Sequence, residues 1–216
     1  GGARLRGTSL RVPADISSAA FFLVGASIAE GSDLTLQHVG MNPTRDGVIN
    51  ILREMGADIE VLNAREVGGE PVADLRVRSA PLRGIRIPQD QVPLAIDEFP
   101  VLFIAAACAE GETVLTGAEE LRVKESDRLK AMVELLACFG IGAHAKEDRL
   151  EVAGGAPRQI RELPITHDHR ILMAAAILGL GARARGQESP LILDPAIAAI
   201  SDPFFFDQLR YLDGAH

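Results

Sequence analysis

"ADISSAAFFLVGASIAEGSDLTL", residues 14–36, carries the pattern from which the fold is read. An aspartate leads, an Ala-rich apolar run follows, Gly31 ends the run, and the alternating "DLTL" comes directly after it. A helix this apolar all round belongs inside a protein, not on its surface. The leading aspartate and the Ala-rich apolar helix ending in Gly return in "AIDEFPVLFIAAACAEGETVLTG", residues 95–117, where a strand-like run again follows directly, and in "THDHRILMAAAILGLGARARGQESPLIL", residues 166–193, so that Asp15, Asp97 and Asp168 take equivalent places. A second kind of segment follows each copy: "NPTRDGVINILREMGADIEVL", "LRVKESDRLKAMVELLACFGIGAHA" and "SDPFFFDQLRYL". In the first of these Val48, Ile51, Leu52 and Met55 recur at i, i+3, i+4 and i+7, the spacing of an amphipathic helix. "MGADIEV" and "FGIGAHA" read as a Gly-terminated helix running into a strand, and "ADLRVRS" and "DRLEVAG" alternate as strands do.

The unit is therefore helix, strand, helix, strand, strand, used about three times. Copies this long are supersecondary units sharing one core, not the short repeats of a solenoid. The apolar helices go inside and the sheets outside. "EVGGEP" (66–71) and "GGAPRQ" (154–159) are expected to be loops, and no linker separates two independent domains.

The helix starts carry capping chemistry. Asp15 with Ser17 and Ser18, Asn42 before Pro43, and Ser201 or Asp202 before Pro203 are suited to satisfy free N–H groups; Asp97, Thr166 and Asp168 are further caps on the same reasoning. If the units pack symmetrically, several helix N-termini face one way and form a surface that attracts phosphate or carboxylate.

A chain of 216 residues with 47% hydrophobic and 24% charged residues is long enough for a sizeable core and ordinary for an enzyme. A net charge of −8 argues against nucleic acid as a partner, though local arginines can still hold small anions. No apolar run reaches membrane-span length, so no membrane is expected as a partner, and the start "GGARLRGTSLRVPAD" lacks the apolar region of a signal peptide. Cys108 and Cys138 lie in apolar helical patterns and read as buried free thiols of a reducing compartment, which points to the cytoplasm.

Against this acidic background "LRVKESDRLKAM", residues 121–132, crowds six charges. On a helix Lys124 and Arg128 are i, i+4 and Glu125 and Arg128 are i, i+3, so all three share one side. Two readings stand. The cluster is an exposed charge lattice, worth only tenths of a kcal/mol per pair, or it is a site that grips an anion and moves a proton. In "THDHR", residues 166–170, His167 and His169 are spaced poorly for a metal, and no partner has ligand spacing. Arg170, heading an apolar helix, is placed to fork onto a carboxylate or phosphate.

"PADISSAAFFLVGASI", "NPTRDGVINILREMGADI", "IDEFPVLFIAAACAEGETVLTG", "EELRVKESDRL" and "HDHRILMAAAI" together closely resemble the C-terminal half of the 5-enolpyruvylshikimate-3-phosphate (EPSP) synthase family, in the bacterial form called class II. The resemblance covers nearly the whole chain. It implies an α/β lobe (α+β in some schemes) of the enolpyruvyl-transferase type, an inside-out α/β barrel of repeated βαβαββ units. It implies residues 1–216 as a single C-terminal lobe, with 1–13 near the hinge and the N-terminal lobe absent from this sequence.

The implied reaction moves the enolpyruvyl group of phosphoenolpyruvate to the 5-hydroxyl of shikimate 3-phosphate and releases phosphate. It needs no redox cofactor and no obligatory metal. By motif, Asp97 is implied as the carboxylate at the 5-hydroxyl, a base. Glu125 handles the methylene proton, and Lys124 lies near the hydroxyl and the transferring phosphate. Arg128 and Arg170 hold phosphoenolpyruvate, Glu120 lies near the shikimate hydroxyls, and His169 is a supporting contact. A carboxyl between Lys124 and Arg128 ionises too readily to carry a proton unless burial, lobe closure and substrate charge raise its pKa. Two features depart from the family pattern: the other lobe's Lys-Ser, Arg and Ser/Gln contacts have no substitute here, and Ile200 stands where many members place a lysine before the last helix. The isolated chain is expected to show little turnover. The sister family acting on a UDP-linked amino sugar shares the fold but not "RVKESDR" with "DHR"; a non-catalytic binding module is the remaining alternative.

Overall fold

With apolar side chains at nearly every position, helix α1 (Ile16–Ile28) has no face to give to water, and eleven of its residues are buried. The computed structural model describes residues 7, 9, 11–158, 161–163, 165–183, 186 and 194–213. Strand β1 (Asp33–Gly40) follows α1, then helix α2 (Gly47–Glu54) and the antiparallel pair β2 (Asp58–Val67) and β3 (Glu70–Arg78). The second unit repeats the order: α3 (Phe99–Cys108), β4 (Glu112–Leu115), α4 (Arg128–Cys138), β5 (Ala143–Lys146) and β6 (Arg149–Ala153). The third contributes α5 (His169–Arg183), the single turn α6 (Pro195–Ala198) and α7 (Phe205–Asp213). The end of its quoted segment, residues 187–193, lies outside the described residues, as do residues 1–6 of the expected hinge segment.

The two sheets share one topology. Their orders are β1-β3-β2 and β4-β6-β5, each antiparallel, with the last strand of the unit in the middle. A parallel bridge precedes each unit's first helix, Ala14 to Val39 in one and Arg86 to Val114 in the other. Counting that bridge as the leading strand gives the βαβαββ unit. Helices α1, α3 and α5 pack against one another at the centre, and the sheets flank them. The arrangement agrees with the expected α/β lobe, helices inside and sheets outside.

The amphipathic spacing in α2 is realised: Val48, Ile51, Leu52 and Met55 are all buried. Gly47 opens α2 where a Cβ would stand 2.8 Å from the Leu94 backbone carbonyl carbon and from the Leu94 Cβ, so a larger residue would push the α2 start off the 89–94 segment. Of the expected loop "EVGGEP" only Gly68 and Gly69 turn, because Glu66 and Val67 end β2 and Pro71 and Glu70 pair with them in β3; residues 154–158 carry no regular structure.

Three local expectations need correction. Asn42 does not cap α2; its side chain accepts from Thr44 N and closes the preceding turn, and α2 begins four residues after Pro43. Asp97 does not cap α3, whose N-cap is Glu98 with no side-chain cap bond, because both carboxylates are engaged elsewhere. Cys138 is buried but Cys108 only half-buried, since α3 ends at Cys108. The Asp15 cap on Ser18 N stands as expected, and Asp202 accepts from Phe204 N just ahead of α7.

Helix α7 is held to the core by Phe205, fully buried with its ring 5.7 Å from those of both Phe21 and Phe22 of α1. Phe205→Ala is expected to cost about 3–5 kcal/mol, read as a lower urea midpoint at unchanged slope. Phe204→Ala, at a ring 64% exposed, should stay within about 0.5 kcal/mol.

Candidate functional site

The charged stretch does not form one helix face. Residues Glu119–Val123 make a 3-10 turn, Lys124 is extended, and α4 starts only at Arg128, capped by Asp127 accepting from Lys130 N. The chain folds this way because Asp127 is a better cap than interior residue, and the break frees Lys124, Glu125 and Ser126 to face the starts of other helices.

Arg128 is the centre of what results. Its side chain is 1% exposed, and its Nε donates to Asp168 Oδ2 at 2.9 Å. Its Nη2 donates to Glu125 Oε2 at 2.5 Å. Its Nη1 is buried without a hydrogen-bond acceptor among the described residues and lies 3.7 Å from Asp97 Oδ1. Asp168 is doubly used: it accepts from Ser126 Oγ at 2.8 Å and from Arg170 N at 3.0 Å, so one buried carboxylate both caps α5 and holds Arg128. Thr166 Oγ1 accepts from Asp168 N.

Asp97, in the turn before α3, sits among three cations: Lys124 Nζ at 3.3 Å, Arg128 Nη1 at 3.7 Å and Arg170 Nη2 at 3.9 Å. Arg170 also donates to the Asp97 carbonyl at 3.1 Å. Burial works to raise the Asp97 pKa, but Arg170, Lys124 and Arg128 outweigh it and hold the carboxyl below its usual range. Burial opposes ionisation of Asp168 too, and the hydrogen bond and charge of Arg128 again win, so it is also lowered. Lys124 is raised, chiefly by its bond to Glu120 at 2.5 Å. His169 is buried, and burial together with Arg170 pushes its imidazole down, so it is neutral at neutral pH.

The fold thus brings Asp97, Glu120, Lys124, Glu125, Arg128 and Arg170 into one connected cluster, with His169 beside it at the head of α5. Sequence reasoning missed four further members. Asp168 had been read only as a cap. Glu98, Ser17 and Arg45 form a second layer: Ser17 Oγ donates to Glu98 Oε1, Arg45 Nη2 donates to Ser17 Oγ at 2.7 Å, and Arg170 Nη1 lies 3.9 Å from Glu98 Oε1. Burial drives the Glu98 pKa up, against the Ser17 bond and the two arginines. An acid opening a wholly apolar helix was the available signal for Glu98. Among the described residues no group of three or more His, Cys, Asp or Glu is arranged to hold a metal ion, and no helix is long and apolar enough to cross a membrane.

The chain matches known proteins along its length. The family model for EPSP synthase (3-phosphoshikimate 1-carboxyvinyltransferase) matches residues 1–209. The chain belongs to the EPSP synthase family. It is 62% identical over 207 residues to the 3-phosphoshikimate 1-carboxyvinyltransferase of Alkalilimnicola ehrlichii, covering 96% of this chain and 46% of that protein. With the enzyme of the same name from Halorhodospira halophila the identity is 65%, over 100% of this chain and 49% of that protein. The chain spans about half the length of these curated relatives. Among solved structures, EPSP synthase from Acinetobacter baumannii superposes at a TM-score of 0.87 with 48% identity, over 98% of this chain and 48% of that one. The enolpyruvyl transferase NikO from Streptomyces tendae, at 0.52 and 16% identity over 97% of this chain and 45% of that one, shares the fold.

The buried pair makes a prediction. Asp168 has a folded pKa below its unfolded one, so its stabilisation is full above the usual carboxylate range and is lost as pH falls through the folded value. Arg128→Met, which strands Asp168, should cost about 3–5 kcal/mol at pH 7. Asp168→Asn should melt lower at pH 7 but lose less on acidification below about pH 4 than the wild type, in calorimetric scans across that range.

Proposed function

We propose that this lobe carries half of a site that transfers the enolpyruvyl group of phosphoenolpyruvate to the 5-hydroxyl of shikimate 3-phosphate. The observation that carries the reading is a carboxylate, Asp97, held within 4 Å of Lys124, Arg128 and Arg170. Beside it Glu125 is tethered to the same Arg128. Three fixed cations suit substrates that bring two phosphates and a carboxylate. The family membership and the names of the relatives supply the reaction.

In this reading the 5-hydroxyl gives its proton to Asp97 while its oxygen attacks the enol carbon of phosphoenolpyruvate. The double-bond electrons take a proton from Glu125 at the methylene. The tetrahedral adduct then expels phosphate, which leaves with the proton that Asp97 had taken up, and Glu125 recovers a methyl proton as the double bond re-forms. Lys124 sits by the hydroxyl and the leaving phosphate. Arg128 and Arg170 hold the phosphoenolpyruvate anion, Glu120 orients the shikimate hydroxyls, and neutral His169 lends a supporting contact without adding charge.

Free Asp97 is a weak base for this task, because its three cations favour the ionised form. Substrate anions that neutralise those cations raise its basicity, so proton transfer is tied to a filled site. Glu125, 54% exposed, faces open water until a second surface and the substrates cover it. Val123 and Ile165, exposed apolar side chains flanking the cluster, fit a face that closes on another lobe. We assign the N-terminal lobe of the same kind of enzyme as that partner and the bacterial cytoplasm as the compartment.

Phosphate release from the two substrates tests the reading. The chain alone should turn over little; the chain joined to the N-terminal half of a relative should turn over. In the joined protein Glu125→Gln should lower kcat about 10²–10⁴-fold. A folded joined protein without turnover, or a Glu125→Gln variant equal to wild type, rejects it.

A further inference from the structure

Arg45 is not part of the charged stretch or of the "DHR" motif, yet the fold delivers it to the same place. The turn closed by Asn42 and the tight seat of Gly47 fix the loop that carries it. Its Nη2 donates to Ser17 Oγ at 2.7 Å and lies 3.5 Å from Glu98 Oε1. The Ser17 hydroxyl, having accepted from Arg45, donates to that same oxygen. Glu98 is 1% exposed at its side chain and its Oε2 is buried with no partner among the described residues. Arg170 lies 3.9 Å from Glu98 Oε1, so two guanidinium groups straddle one buried carboxylate.

The asymmetry of Arg45 is informative. One nitrogen makes its recorded contacts; Nε and Nη1 have no acceptor among the described residues, and the side chain is 45% exposed. Ordering a long arginine costs side-chain entropy, and an exposed pair returns little. A buried acid that orients a half-exposed guanidinium suits one use, a fork of N–H donors aimed at an incoming oxyanion.

We propose that Arg45 is a further cation of the substrate site, binding a phosphate group, and that Ser17 and Glu98 are its positioning residues. The inference rests on the anion-site reading above and adds to it a residue outside the charged stretch and the "DHR" motif. Phosphate is the shared chemistry of the two substrates, and separate titrations tell which of them Arg45 meets.

The experiment is an NMR titration of the 216-residue chain, with ¹⁵N signals of the arginine side chains followed, using inorganic phosphate, phosphoenolpyruvate and shikimate 3-phosphate in turn. Arg45→Ala should weaken binding of one of the two substrates about tenfold or more, with the thermal midpoint unchanged, and Arg45→Lys should recover part of it. Glu98→Gln should weaken the same ligand and shift the Arg45 Nε–H signal. Arg45→Ala binding all three like wild type, while Arg170→Ala does not, overturns this inference and leaves the site reading intact. A folded wild-type chain that binds none of the three overturns both.

Discussion

Among the described residues Arg128 is the largest side chain fully withdrawn from water, and a cation so placed must be answered by fixed acceptors. The answer comes from three places in the sequence. Asp168 arrives from the head of α5, Glu125 from the loop before α4, and Asp97 from the turn before α3. One guanidinium therefore registers the starts of three helices from two repeats. Buried ion pairs are poor sources of net stability, since desolvation offsets most of their attraction. Well-packed apolar side chains in place of Arg128 and its buried carboxylate together would hold these helices as well. What such a side chain would not do is present a buried N–H edge, as Arg128 Nη1 does toward Asp97. The arrangement makes sense as a site whose geometry is settled before any ligand arrives.

Two neighbouring carboxylates then respond to that site in opposite ways. Asp97 is partly hydrated and within reach of three cations, and its pKa falls. Glu98 is nearly sealed, and desolvation outweighs its hydroxyl donor and two arginines, so its pKa rises. Adjacent acids with divergent environments are how one site holds a fixed negative charge and a proton-retentive group together. The divergence follows from α3: its apolar faces pull Glu98 inward with Phe99, while Asp97 stays on the rim with Lys124 and Arg170.

Much of the fold was legible because its signals are periodic. The three apolar helices, the i, i+3, i+4, i+7 stripe of α2 and the alternating strands each repeat a short-range rule. The charged stretch was misread as a helix face for a related reason: Lys124, Glu125 and Arg128 satisfy helical spacing whether or not the backbone does. The competing signal was Asp127, whose capping bond to Lys130 N starts α4 one residue later. Asp168, Glu98 and Ser17 escaped because each also suits a helix start, and capping accounts for such residues without any tertiary partner. Nothing local reports that Ser17 and Glu98 meet 81 residues apart, or that Arg45 joins them. Ser17, Arg45 and Glu98 each stand in a motif that carried the family resemblance, but in three separate ones, and no local pattern reports that they meet.

For an acidic chain to bind anions, as proposed, it must still spare some cationic donors for them, and the cluster divides its carboxylates in a way that does so. Asp168 is fully sealed on Arg128 and has no route to solvent. Glu120 and Glu125, at 58% and 54% exposure, hold Lys124 and Arg128 from the water side. Exposed partners are cheap to displace, because water takes up the carboxylate that leaves. An incoming phosphate or carboxylate can therefore replace Glu120 on Lys124 and Glu125 on Arg128 while Asp168 keeps the guanidinium aimed. The exchange has a chemical consequence in the proposed reaction. The arriving substrate frees the Glu125 carboxylate from Arg128. Substrate binding and the release of Glu125 then become one event, set by which carboxylate the fold left exposed.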